Sequence, residues 1–153
     1  MMTSADSEHT VNGYLAADHD RLDDLLVEVT DLIAAGDFDQ ADRILARFAS
    51  GLRRHIRLED DVLFPTFEQV TGMASGPTTV MRDEHRAIEQ HLDALVTAVE
   101  HRDRATFSTE RAAMLAVLGD HNAKEEAIIY PMTDANLPDA QRVQLVARLR
   151  AFR

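Results

Sequence analysis

Two His-x3-Glu pairs, His55/Glu59 and His121/Glu125, lie 66 residues apart, and each precedes an aromatic–proline pair, Phe64-Pro65 and Tyr130-Pro131. His19 and His85 are separated by the same 66 residues. On an α-helix, residues four positions apart stand one above the other on a single face. Six metal-ligand side chains therefore fall at matched positions in two halves of the chain. That pattern requires helices packed around a shared centre, and it points to a two-metal site inside a bundle.

The apolar residues follow a helical period through most of the chain. Leu15, His19, Leu22, Leu26, Val29 and Ile33 define a first helix from about Asn12 to Ala35, stopped by Gly36 and followed by Asp37 as the next N-cap. The second helix carries Ala41, Ile44, Phe48, Leu52, His55, Glu59 and Val62 on one stripe, and Pro65 should kink or end it. The stretch from Thr71 to Pro77 reads as a loop dividing the halves. A third helix from Thr78 to Glu100 presents Met81, His85, Ile88, Leu92, Leu95 and Val99. A fourth presents Met114, Leu118, His121, Glu125, Ile128 and Met132, and a short fifth spans Pro138 to Phe152. The expected fold is all-α: an antiparallel up-down four-helix bundle with a short C-terminal fifth helix. Residues 1–10 read as a disordered N-terminal segment and 11–153 as one bundle domain.

Composition narrows the chemistry. With no cysteine, thiolate ligands, disulfides and iron–sulfur clusters are excluded, so any metal must be held by nitrogen and oxygen. A formal charge of −11 argues against nucleic acid and anionic membrane surfaces as partners. No apolar run approaches the roughly 18 residues of a membrane span, and the polar start is not a signal peptide. The expectation is a soluble cytoplasmic protein.

The helical seams separate the acids that follow each key histidine. In the second and fourth helices the stripe runs Leu52–His55–Glu59–Val62 and Leu118–His121–Glu125–Ile128, which buries both members of each pair. In the first and third, Leu22 and Ile88 take the seam, and Asp23 and Glu89 fall beside it. Four buried histidines and two buried glutamates follow. A buried carboxylate without a partner costs several kcal/mol, so the two require a cation or close donors. A lone seam histidine is more often a hydrogen-bonded core residue than a ligand; matched repetition in two halves argues against that here. Imidazole and carboxylate ligands suit iron, manganese or zinc. The symmetric solution gives each ion two histidines, with Glu59 and Glu125 bridging and a position left open beside a bridging oxide or water.

The remaining side chains carry less. His9, His91 and His101 read as surface residues, and Met81, Met114 and Met132 as core filling. Asp23 and Glu89 read as flanking groups that orient His19 and His85, with Glu89 also a candidate extra ligand. Tyr130, close to Glu125, reads as a possible redox-active neighbour.

Taken from Asp18-His19 to Pro131, these motifs resemble the hemerythrin-like, or HHE cation-binding, family. Its most specific elements are His55-x3-Glu59 through Phe64-Pro65, Asp83-Glu84-His85, and His121-x3-Glu125 through Tyr130-Pro131. The resemblance implies a four-helix bundle holding two iron ions, oxo- or hydroxo-bridged, on His19, His55, Glu59, His85, His121 and Glu125. Oxygen-carrying members place another histidine four residues after the third-helix ligand, where this chain has Glu89. Simple oxygen carriage is thereby placed in doubt. The expected function is binding or sensing of O2 or a related small ligand such as nitric oxide or peroxide, rather than dedicated catalysis. Alternatives are a di-iron stress enzyme (peroxidase, nitric oxide handling or iron-cluster repair) and a metal storage or structural metal protein. A ferritin-like site would use Glu-x-x-His pairs instead. The sequence names no protein partner.

Overall fold

The computed structural model describes residues 7–153, and among these all regular structure is helical. The elements are α1 (Val11–Ala34), α2 (Phe38–Leu58), α3 (Phe64–Thr71), α4 (Pro77–Glu100), α5 (Arg104–Lys124), α6 (Tyr130–Ala135) and α7 (Asp139–Ala151). Single π-helical turns, Glu59–Leu63 and Glu125–Ile129, join α2 to α3 and α5 to α6. The long helices form a bundle in which α1 packs on α2, α4 on α5 and α2 on α4. No helix among the described residues is long and apolar enough to cross a membrane.

Of the segment 1–10 expected to be disordered, residues 1–6 lie outside the described residues. Thr10 is buried, and its hydroxyl accepts a hydrogen bond from the Gly13 amide at 2.9 Å to cap α1. The 66-residue repeat extends to the caps. Gly36 and Arg102 both take positive φ, 80° and 54°. Their amides bond back to Ile33 and Val99, and those of Asp37 and Asp103 to Leu32 and Ala98, which makes two Schellman closures. Asp37 and Asp103 then accept from the amides of Gln40 and Thr106 and start α2 and α5. The first half uses glycine where left-handed backbone is required; the second tolerates Arg102, whose guanidinium reaches Asp39 at 2.9 Å and lies over Phe38. Between α3 and α4, Gly72 ends one helix at φ 73° and Pro77 begins the next, as the loop reading anticipated.

Two expectations are corrected by the π-turns. Pro65 does not end the helical backbone: α2 gives way at Glu59 to a π-turn, and Pro65 stands in the first turn of α3. In each π-turn the bond runs five residues back, from the Phe64 amide to the Glu59 carbonyl and from Tyr130 to Glu125. One extra residue per turn shifts the inward direction from the third residue after the glutamate to the fourth. Leu63 and Ile129 are therefore buried where Val62 and Ile128 were expected, and Ile128 is 46% exposed. The same shift brings Phe64 and Tyr130 inside, both fully buried.

The core has two apolar clusters. One, around Leu26, Val29, Phe48, Leu92, Leu95 and Met114, fills the long-helix end. The other, around Leu15, Phe64, Phe67, Tyr130, Leu145 and Leu149, is covered by α7. The histidines and glutamates singled out above belong to neither cluster, although the stripes that carry them run into both.

Candidate metal centre

All six side chains expected to bind metal converge in the interior, and all are buried. His19 comes from α1, His55 from α2, His85 from α4 and His121 from α5, while Glu59 and Glu125 open the two π-turns. Their ligand atoms fall into two groups. Glu59, His85, His121 and Glu125 share one set of atoms within 4.8 Å of one another; His19, His55 and Glu125 share a second. Glu125 is common to both.

The spacing within these groups fits bound ions. Nε2 of His85 and Nε2 of His121 face each other at 3.1 Å. Glu59 Oε1 lies 3.2 Å from His85 Nε2 and 3.4 Å from His55 Nε2, and Glu125 Oε1 lies 3.2 Å from His121 Nε2 and 3.3 Å from His19 Nε2. Ligand atoms at right angles around an ion about 2.1 Å away stand about 3 Å apart. Yet Glu59 Oε1 and both carboxylate oxygens of Glu125 are buried without an aligned hydrogen bond. Buried carboxylate lone pairs aimed at imidazole nitrogens, with no donor aligned to them, are what a cation would satisfy. The donor set fits a metal.

A ring of carboxylates outside this layer holds each imidazole by its other nitrogen. His55 Nδ1 donates to Asp18 at 2.8 Å, His85 Nδ1 to Asp60 at 2.8 Å, His121 Nδ1 to Glu84 at 3.2 Å and His19 Nδ1 to Glu126 at 3.2 Å. Each bond turns Nε2 inward and fixes the tautomer that a metal needs. The orienting role expected of Asp23 and Glu89 thus falls to other residues. In α1 and α4 the position four beyond the histidine sits beside the seam: Asp23 is exposed, and Glu89 lines an outer face with Arg53 and Arg57. A signal for the true partners was present. Asp18 and Glu84 are 66 residues apart, as are Asp60 and Glu126, and each adjoins a candidate ligand in sequence. They escape a single-helix reading because they reach across to neighbouring helices. Replacing Asp18 or Glu84 with alanine is expected to weaken metal binding by about 10–100-fold while the bundle stays folded, as read by competitive metal titration.

Electrostatics in the metal-free chain follow from this crowding. Burial is the largest influence on His55 and opposes its charge, but Glu59 and the Asp18 hydrogen bond outweigh it and raise the imidazole to about 10. His85 is likewise held down by burial and raised, through Asp60 and Glu59, to about 9. His19 is also raised, its contact with Glu125 overcoming burial. For Glu59, burial pushes upward but the facing imidazoles hold it well below the usual carboxylate range. Protons thus supply the positive charge when no ion is bound.

Tyr130 breaks the symmetry. Its hydroxyl donates to Glu59 Oε2 at 2.6 Å and stands 3.1 Å from His19 Nε2 and 3.4 Å from His55 Nε2. Burial, with Glu125 and Glu59 nearby, pushes the phenol well above its ordinary value. The matched residue, Phe64, stacks on the His85 ring with centroids 5.5 Å apart and brings no polar atom. Of the other histidines, His91 pairs with Glu110 at 2.7 Å, while His9 and His101 are exposed.

A bundle whose helices bring four oriented imidazoles and two buried glutamates to one layer is a metal-binding module. The chain matches the hemerythrin HHE cation-binding domain over residues 10–133, and it belongs to that family. It is also similar to uncharacterized proteins of Mycobacterium tuberculosis and Mycobacterium bovis, each 27% identical over 111 residues. That alignment takes in 69% of this chain, and 42% of each relative's length. No solved structure gives a significant match.

Proposed function

We propose that the protein is a non-haem di-iron module that binds O2 or a related small ligand, as a binding or sensing unit built on an antiparallel up-down four-helix bundle. His19, His55, Glu59, His85, His121 and Glu125 would hold the ions. The observation that carries this reading is the set of unpartnered buried carboxylate oxygens facing imidazole nitrogens at ligand spacing. Iron bound there would supply reversible electron transfer to a small ligand. The chain's own share is to fix the imidazoles through Asp18, Asp60, Glu84 and Glu126, and to keep one side of the layer narrow. On that side a cavity of about 10 Å³ is walled by Leu22, Leu52, Ile56, Ile88 and Leu118 over the four histidines. Such a volume is near the minimum that holds one water, which suits ligands of two or three atoms.

The test is metal analysis with the absorption spectrum, taken reduced under argon and then in air. About two irons per chain and a charge-transfer band that comes and goes with O2 are expected. Zinc, or a spectrum indifferent to oxygen, would sink the proposal and leave metal storage or a structural metal.

A second reading, a di-iron enzyme acting on peroxide or nitric oxide, is favoured by Tyr130. A buried hydroxyl that donates to Glu59 at 2.6 Å is placed to deliver a proton to the centre. Peroxide turnover that falls at least about tenfold in Tyr130→Phe with iron content intact would select this reading. Turnover absent from both proteins would remove it.

A further inference from the structure

Beside the metal layer, two faces of the bundle that the 66-residue repeat makes equivalent carry different side chains. Between α2 and α4, the matched positions hold Arg53, Arg57, Glu89 and Asp93, and Arg53 is bridged to Asp93 at 2.9 Å. The hollow on that face reaches none of the four buried histidines. Between α1 and α5 the corresponding positions are Gly119, Ala123, Asp23 and Val27. There the structure has an open groove of about 400 Å³ with His19 in its wall. Both faces are indented, the α2–α4 hollow to about 470 Å³, but only the one lined by glycine, alanine and an exposed valine reaches a site histidine.

This groove leads inward. It shares His19, Asp23, Leu118 and Asn122 with the small apolar cavity over the imidazoles. A single layer formed by Asp23, Leu118 and Asn122 therefore separates solvent from the face of the metal layer. On the other side, Phe64 and Tyr130 are packed into the second apolar cluster. Gly119 lies one helical turn from Asn122 and Ala123 on the same face of α5. A Cβ added to Gly119 would meet no heavy atom within 4 Å. An alanine there would fit without closing the groove, whereas a large side chain would fill it. Three carboxylates, Asp20, Asp23 and Glu126, and one guanidinium, Arg111, line the groove. That balance repels anions and leaves uncharged molecules unaffected.

We propose that the α1–α5 groove is the entry port of the metal centre, with Asp23, Leu118 and Asn122 at its throat, and that it admits small uncharged ligands in preference to anions. The ligand class rests on the di-iron reading above; the port itself does not. The open face of the centre is then the one toward α1 and α5, and the α2–α4 hollow stops short of the histidines.

The port is tested first in the metal-free protein, using dissolved O2 as a paramagnetic probe of methyl protons in NMR. Strong relaxation is expected at Leu118 and Ile88, and Gly119→Trp should abolish most of it, while Gly119→Ala keeps it. Methyl relaxation unchanged in Gly119→Trp would overturn the port, as would strong relaxation that disappears only when the Arg53 side is blocked by Ser50→Trp. In iron-loaded protein, Gly119→Trp should slow nitric oxide association and dissociation together by about tenfold and leave the affinity nearly unchanged. The double variant Asp20→Asn/Asp23→Asn should speed azide association and leave nitric oxide alone; equal effects on both would overturn the charge preference. A protein that shows the O2 relaxation pattern but takes up no iron would keep the port and remove the di-iron reading.

Discussion

Stripping metal from the protein with a chelator is expected to lower its Tm by roughly 8–16 °C. Ligands converge from four helices, so an ion binds the folded chain and has almost no affinity for the unfolded one. At a free metal concentration about 1,000 times Kd, that linkage is worth about 4 kcal/mol, and a domain of this size shifts by roughly 2–4 °C per kcal/mol. Differential scanning calorimetry before and after chelation, with metal added back, measures it. An unchanged Tm would mean that no ion is bound in this layer. The two forms should also respond to pH in opposite directions. In the metal-free chain, His55 at about 10 and His85 at about 9 lie above their ordinary value of 6.5. Their contribution is fully present below about 6.5 and is lost as pH rises through 9 to 10. In the loaded chain the imidazoles are neutral ligands, so protons compete with metal and stabilisation falls as pH is lowered.

Glu125→Gln is expected to empty both metal positions, whereas His85→Ala should empty one. Glu125 is the only residue common to the two ligand groups. Replacing its charge with a neutral amide removes one of two carboxylates from the first group and the one carboxylate of the second, and is expected to weaken each by roughly 100-fold or more. Metal content after desalting separates the variants: near zero for Glu125→Gln, about half the parent value for His85→Ala. Equal losses in the two would show that the positions fill only together.

Much of this centre is legible in sequence because its six inward groups lie on helical seams, where a 3.6-residue period decides what is buried. His55, Glu59, His121 and Glu125 satisfy that period and the 66-residue repeat together, so they declare themselves twice. What escaped reading did so for two physical reasons. A π-turn changes the period locally, and nothing in Glu59–Leu63 announces it except the proline that follows; hence the exchange of Val62 and Ile128 for Leu63 and Ile129. The orienting carboxylates act between helices, and a single-helix wheel is blind to partners on the next helix. That is why Asp23 and Glu89 looked better placed than Asp18, Asp60, Glu84 and Glu126. The entry groove needed the structure as well, because small residues at Gly119 and Ala123 acquire meaning only beside what α1 places opposite them.

Phe64 and Tyr130 occupy equivalent places on the two π-turns, and a single oxygen atom distinguishes them. In an otherwise duplicated architecture, that oxygen gives the pair of metal positions a polarity. The ligand group with His19 and His55 has a phenol hydroxyl at its edge; the group with His85 has a hydrocarbon ring. Ions entering one at a time would meet two unlike addresses, and the half-filled protein is expected to be a defined isomer in place of a random mixture. A substoichiometric iron titration followed by Mössbauer spectroscopy should show one quadrupole doublet before the second grows in, and Tyr130→Phe should merge that order into simultaneous filling.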